Sequence, residues 1–131
     1  MPSIMECLDQ AGVFFLATTQ DGKPRLRPIS DHFLLDGRLM FCTGSQKAVC
    51  RQMRANPWVE ISALAGDHWL RYSGRVVFET DPKYEAWWLE NNPEARGIYN
   101  EETGWHVLFY HLEDAVALLL GEDGEIALDV P

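Results

Sequence analysis

The chain has 131 residues, of which 47% are hydrophobic and 24% charged, a composition typical of globular proteins and not of disordered or membrane-spanning ones. The formal net charge of −9 opposes binding to a phosphate backbone, so nucleic acid is not expected as a partner. No apolar run approaches the roughly 20 residues of a spanning helix, and the start of the chain does not resemble a signal peptide. We therefore expect a single domain over residues 1–131 that is cytoplasmic and has no membrane partner.

The first part of the chain predicts a helix followed by three antiparallel strands. Ser3 and Glu6 have the spacing of a capping box, ahead of an amphipathic segment that ends at Gly12. Asp-Gly pairs at 21–22 and 36–37 separate apolar runs, and such pairs favour hairpin turns. Strands are predicted over about 13–19, 24–35 and 38–43.

The middle of the chain predicts a short helix and a long hairpin. Ser45 is interpreted as the N-cap of the helix, which ends at Asn56-Pro57 because the residue before a proline disfavours helix. Strands over about 58–64 and 68–80 follow, and Gly74 in the second indicates a bulge or bend.

The last part predicts one helix and a final hairpin. The helix starts at Asp81-Pro82 and carries Tyr84, Trp87 and Trp88, whose helical spacing favours packing over a binding groove. A long strand from about residue 106 then returns through Asp123-Gly124 into a last strand. Six or seven strands joined by hairpins predict a mainly β, antiparallel barrel with short helices outside it.

Basic and hydroxyl side chains cluster in PRLRPISDHFLLDGRLMFCTGSQK. The two-residue repeat of a strand places Arg25 and Arg27 on one face, and the next hairpin brings Thr43, Ser45 and Lys47 to a strand end and helix start. Guanidinium groups, hydroxyls and a helix N-terminus together are typical of a phosphate site. Solvated surface arginines and an ordinary capped helix are the alternative, and spacing alone does not decide between them.

Four segments, ATTQDGKPRLRPI, LMFCTGSQK, ANPWVEI and WLRYSGRVVFETD, resemble in order and spacing the pyridoxamine 5'-phosphate oxidase-like FMN-binding split-barrel proteins. The branch that they resemble in particular is the small one that includes nitroimidazole-resistance proteins. The resemblance covers nearly the whole chain. It implies a six- to seven-stranded antiparallel split β-barrel, FMN as the cofactor, and a homodimer with FMN at the interface.

The resemblance also implies which residues contact the cofactor. Those expected along the flavin are Arg27, Pro28, Ile29 and Ser30, with Cys42 and Thr43 beside it. Ser45 and Lys47 match phosphate-binding positions, with Arg25 or Arg27 as the second cation. Trp69, five residues before Gly74, is expected to reach the partner's flavin, and Trp105 is a further interface candidate.

The function implied is that of a flavoprotein, as an FMN-dependent oxidoreductase acting on a small organic acceptor, pyridoxamine phosphate oxidase-like or nitroreductase-like. The chain ends at Asp129-Val130-Pro131 without the arginine- and histidine-containing segment of the true oxidases, so pyridoxal phosphate formation is not expected. The alternatives are a non-catalytic flavin-binding or sensing protein, or a split barrel that binds haem or F420. No catalytic residue is assigned, no metal site is predicted, and Cys42 is interpreted as an inert packed thiol.

Overall fold

Eight strands and three α-helices form the protein, which a computed structural model describes over residues 1–131. The elements in chain order are α1 (Ile4–Ala11), β1 (Phe14–Gln20), β2 (Lys23–Ile29), β3 (Phe33–Leu35), β4 (Arg38–Gly44), α2 (Ala48–Ala55), β5 (Trp58–Ala65), β6 (His68–Phe78), α3 (Lys83–Asn91), a 3-10 helix (Pro93–Gly97), β7 (Val107–Gly121) and β8 (Gly124–Leu128). No helix is both long enough and apolar enough to cross a membrane.

The strands form one antiparallel sheet with a gap in its circumference. Their order is β2-β1-β5-β6-β7-β4-β3, and β8 pairs with the second half of β7. No pairing joins β2 to β4 or β3, so β2 and the end of β4 each keep a free edge. The predicted mainly β, antiparallel split barrel is confirmed, and the gap is its split.

Local sequence signals fix the ends of several elements as predicted. Ser3 and Glu6 form the capping box of α1, with Glu6 N–H donating to Ser3 Oγ at 3.1 Å and Ser3 N–H to Glu6 Oε1 at 3.2 Å. Asp21 and Gly22 have φ of 53° and 76°, which are the left-handed conformations that a tight hairpin turn requires. At Gly74 the register of β6 against β7 shifts, so the predicted bulge is confirmed.

Two hydrophobic clusters hold the fold together. The larger one lies between α1 and the sheet, where Leu8, Leu16 and Ile61 are almost completely buried. The smaller one lies under α3 around Tyr84 and Phe109. The aromatic residues of α3 are therefore packing residues, as predicted from their spacing.

The predicted strand over 24–35 is wrong, because the chain forms two strands there. The pairing of β2 with β1 starts at Ile29, whereas β3 starts at Phe33 and pairs with β4 at the other end of the sheet. Between them His32 turns inward, with Nδ1 2.8 Å from the carbonyl oxygen of Ser30. This division gives eight strands where six or seven were predicted.

The predicted N-cap at Ser45 is also wrong. Lys47, with extended backbone at φ −79° and ψ 148°, precedes the first turn of α2 and makes no side-chain cap bond. Ser45 instead continues the pairing of β4 with β7, since its N–H donates to the carbonyl of His106 at 2.9 Å. Its hydroxyl accepts a hydrogen bond of 2.8 Å from the His106 N–H and makes none to α2.

Candidate functional site

A cavity of about 270 Å³ opens at the split of the barrel. One wall comes from β2 and the residues after it, and the other from the end of β4 and the start of α2. The residues that line it are Leu16, Arg27, Pro28, Ile29, Ser30, Asp31, Cys42, Thr43, Lys47, Val49 and Tyr110. Because both strand edges are unpaired here, backbone hydrogen-bonding groups are available to an occupant.

Arg27 places a half-buried positive charge in this cavity. Its Nη1 donates to the carbonyl of Leu16 at 3.0 Å and its Nη2 to Oε1 of Gln52 at 2.7 Å. Burial lowers the pKa of the guanidinium, and no carboxylate lies within ion-pair distance of it. A buried cation with only neutral partners attracts an anionic ligand.

Lys47 supplies a second cation at the same cavity. It is exposed, lies at the N-cap position of α2 and forms no ion pair. The first N–H groups of α2 receive no side-chain cap, so the positive end of the helix dipole adds to the charge of the ammonium. The cavity therefore combines two unpaired cations with a helix N-terminus.

Tyr110 contributes a polar group that the sequence did not point to. The side chain is 1% exposed, its ring stacks on Phe41 with centroids 5.6 Å apart, and its hydroxyl has no hydrogen-bond partner within the protein. Burial raises the pKa of this phenol, which keeps its proton available for donation. The available signal was a tyrosine directly after the apolar run 107–109.

Cys42 lies on the β4 side with its Sγ 3.9 Å from Oδ2 of Asp31. Burial, with a smaller contribution from the Asp31 charge, raises the pKa of the thiol to about 12, and Lys47 opposes this shift. The thiol is therefore neutral at physiological pH and unsuited to nucleophilic attack. This agrees with its interpretation as an inert packed thiol.

The structure brings seven of the eleven predicted cofactor-binding residues together at this cavity. These are Arg27, Pro28, Ile29, Ser30, Cys42, Thr43 and Lys47. Arg25 and Arg27 were the two alternatives for the second cation. Arg25 is directed away from the cavity and donates to the Gln20 side chain at 3.3 Å and to the Pro24 carbonyl at 3.0 Å.

The other three predicted residues lie outside the cavity of the single chain. Ser45 is engaged with β7. Trp69 is on β6 opposite Leu64 and is 38% exposed, and Trp105 precedes β7 and is 43% exposed. Both tryptophans are therefore partly exposed on the surface of the chain and do not line this cavity.

A larger cavity, of about 650 Å³, lies beside β6, β7 and the C-terminus. The charged and histidine side chains that line it already have partners within the chain. Arg38 contacts Glu79 at 3.2 Å, and His111 contacts Glu79 and Glu113 through its two ring nitrogens. The smaller cavity, whose cations have no acidic partners, is the better candidate for an anionic ligand.

Comparison with protein families gives one match. The sequence profile of the pyridoxamine 5'-phosphate oxidase family matches residues 1–101, about three quarters of the chain. None of the curated proteins compared with the chain matches it.

Solved structures with the same fold fall into several ligand classes. A NimC/NimA family protein from Clostridium acetobutylicum is 28% identical, with a TM-score of 0.78 over 95% of this chain and 87% of that one. A pyridoxamine 5'-phosphate oxidase-related, FMN-binding protein from Nostoc punctiforme is 21% identical, with a TM-score of 0.63 over 89% and 79%. The fold is also that of an F420 reductase, which is 23% identical, with a TM-score of 0.58 over 88% of this chain and 98% of that one. A haem-binding protein from Mycobacterium smegmatis is 17% identical, with a TM-score of 0.65 over 97% of this chain and 58% of that one.

Proposed function

The chain belongs to the pyridoxamine 5'-phosphate oxidase family, and from this premise we propose that it is an FMN-binding flavoprotein that acts as an oxidoreductase on a small organic acceptor. The observation that carries the proposal is that Arg27 and Lys47 line the same cavity and that neither forms an ion pair with an acidic residue. Two cations beside a helix N-terminus suit a phosphate monoester, which is the charged end of FMN.

The residues of the cavity fit the remainder of such a cofactor. Leu16, Ile29 and Val49 offer an apolar surface for a ring system. The free edges of β2 and β4 offer backbone groups to its polar rim, and the Tyr110 hydroxyl is a further donor. In this proposal Arg27 and Lys47 bind the phosphate, and Arg25, which lies outside the cavity, does not.

FMN, when bound, supplies the electron transfer, so the protein needs no nucleophile of its own. The chain's own residues bind and orient the cofactor. Cys42 would lie beside the bound cofactor, and its neutral thiol is unsuited to reacting with it.

We further propose that the protein is a homodimer with FMN at the interface. Leu64 and Trp69 are cross-strand neighbours on the outer face of the sheet, and Trp69 is also opposite Leu120. Leu64 is 71% and Trp69 38% exposed, a patch of apolar surface that is typical of an interface. A partner's Trp69 would complete a site that one chain leaves open at the split.

The absorbance spectrum of the purified protein with and without added FMN tests the proposal. We expect perturbed flavin bands with the parent, and affinity at least about tenfold weaker with Lys47→Ala and Arg27→Ala, because each removes a charge-assisted contact. Arg54→Ala is the matched control, since it removes a cation of α2 that stacks on Phe78 outside the cavity. Absence of flavin binding by the parent would overturn the proposal.

The same spectrum separates the other cofactors of this fold. A Soret band in the spectrum of the purified protein would identify the cofactor as haem, and a deazaflavin band would identify it as F420; either would overturn the assignment of FMN. Haem is disfavoured near this cavity because both ring nitrogens of His32 are already bonded, to the Ser30 carbonyl and to Asp9. Anaerobic reduction by a nicotinamide, followed by reoxidation with nitroaromatic acceptors, distinguishes an enzyme from a passive flavin-binding protein.

A further inference from the structure

Gln52 lies on the buried side of α2, directly behind Arg27. It is 7% exposed, although glutamine is normally a surface residue. Its Oε1 lies 2.7 Å from Nη2 of Arg27 and 2.6 Å from Oγ1 of Thr18, a side chain that is itself 2% exposed. Because a guanidinium can only donate, the amide oxygen must face Arg27, and the Thr18 hydroxyl donates the second bond.

These contacts hold the guanidinium from one side and leave the other free. Arginine has five N–H groups, of which one is bonded to Gln52 and one to the Leu16 carbonyl, so three have no partner within the chain, and the residue lines the cavity. Neither of the two acceptors is charged, and the positive charge is therefore not cancelled. An arginine that is already held in place loses less rotamer freedom when a ligand binds.

We propose that Gln52 is a positioning residue that fixes the Arg27 guanidinium toward the cavity and thereby sets the preference of the site for a phosphorylated over an unphosphorylated flavin. This inference rests on the proposed function. Thr18 acts through Gln52, because its hydrogen bond orients the amide.

The test compares the dissociation constants of FMN and riboflavin, measured by quenching of flavin fluorescence. With Gln52→Met, which has a similar volume and no acceptor, we expect FMN to bind about tenfold more weakly and riboflavin to stay within about twofold. Thr18→Val should also raise the ratio of the FMN to the riboflavin dissociation constant, by a smaller factor. Gln10→Met is the matched control, since Gln10 is exposed on α1 and makes no hydrogen bond to Gln52, Thr18 or Arg27.

A double-mutant cycle with Arg27→Met separates positioning from a general structural effect. If Gln52 acts through Arg27, adding Gln52→Met to Arg27→Met leaves the FMN to riboflavin ratio unchanged. Two results would overturn the inference and leave the proposed function intact. One is that Gln52→Met weakens the binding of FMN and of riboflavin equally. The other is that Arg27→Met raises the ratio of the FMN to the riboflavin dissociation constant while Gln52→Met and Thr18→Val leave that ratio unchanged. A parent that binds neither flavin overturns both.

Discussion

Ser45 and His106 form a reciprocal pair of hydrogen bonds at the junction of β4 and β7. Ser45 N–H donates to the His106 carbonyl at 2.9 Å, and His106 N–H donates to Ser45 Oγ at 2.8 Å. The side chain thus supplies the second bond of the pair, one residue beyond the last strand pair, Gly44 with Val107. The link holds the loop that leads to Lys47 against the sheet.

Ser45→Ala removes the acceptor for the His106 N–H, and we expect the free energy of unfolding to fall by about 1 kcal/mol. Urea denaturation measures this, with an unchanged slope showing that the folded state is otherwise retained. Ser62→Ala on the outer face of β5 makes no such bond and should stay within about 0.5 kcal/mol of the parent. A Ser45→Ala protein as stable as the parent would contradict the pairing.

Gly74→Ala is expected to destabilise the protein by about 1–3 kcal/mol. An added Cβ would lie 3.0 Å from the Glu113 carbonyl oxygen and 3.1 Å from Ala115 Cβ, inside the bulge where β6 and β7 shift register. Backbone atoms cannot move aside as a flexible side chain can. Thermal or urea unfolding measures the loss, and Gly97→Ala, where nothing lies within 4 Å, is the control. Equal stability of the two variants would show that the bulge adapts.

Cys42 is expected to react slowly with thiol reagents. Its pKa of about 12 leaves roughly one ten-thousandth of the thiol ionised at pH 8, and only the thiolate reacts. The comparison of parent with Cys42→Ser in a dithionitrobenzoate assay isolates this residue from Cys7 and Cys50, which are both buried. In denaturant all three thiols should react promptly. Reaction of native Cys42 at the rate of a free cysteine would contradict its buried, neutral state.

The stability of the protein should depend on Asp36 in acid. The hydrogen bond from the Tyr84 hydroxyl, followed by the contact with Lys83, lowers the pKa of this carboxyl below its ordinary value. A lowered folded-state pKa stabilises the protein above the unfolded value of about 4, and this stabilisation is lost as the pH falls through the folded pKa.

The melting temperatures of parent and Asp36→Asn measured against pH test this. We expect the parent to be the more stable at pH 5–7 and the difference to shrink below about pH 4. Asp21→Asn is the matched control. Asp21 lies in a similar Asp-Gly turn, with φ of 53° against 51° for Asp36, and forms no ion pair. A pH-independent difference for Asp36→Asn would contradict the contribution of the charge.

Much of the fold could be predicted because its signals are local. The capping box at Ser3, the Asp-Gly turns and the proline after Asn56 act over a few residues, and each fixes an element end where the structure has it. The strand over 24–35 was wrong because its two halves belong to two different hairpins, β2 with β1 and β3 with β4, and the chain breaks between them. Nothing within residues 30–32 encodes that β2 joins β1 while β3 joins β4.

The candidate site was predictable in part for the same reason. Arg27 and Lys47 were identified from the order and spacing of short motifs, but the choice between Arg25 and Arg27 required the side-chain directions on β2. Gln52 was missed, because a glutamine in an amphipathic helix is indistinguishable in sequence from a surface residue. Its role depends on a contact with Thr18, 34 residues earlier in the chain.

The sequence by itself therefore determined the antiparallel fold class and the family, and it narrowed the candidate cations to Lys47 and one of two arginines, since turn chemistry, residue alternation and motif order are properties of contiguous segments. Only the tertiary structure decided where the barrel splits, which arginine faces the cavity, that Ser45 binds His106 in place of α2, and that Tyr110 and Gln52 surround Arg27. These depend on packing between residues far apart in the chain, where the cost of leaving buried polar groups unpaired selects one arrangement.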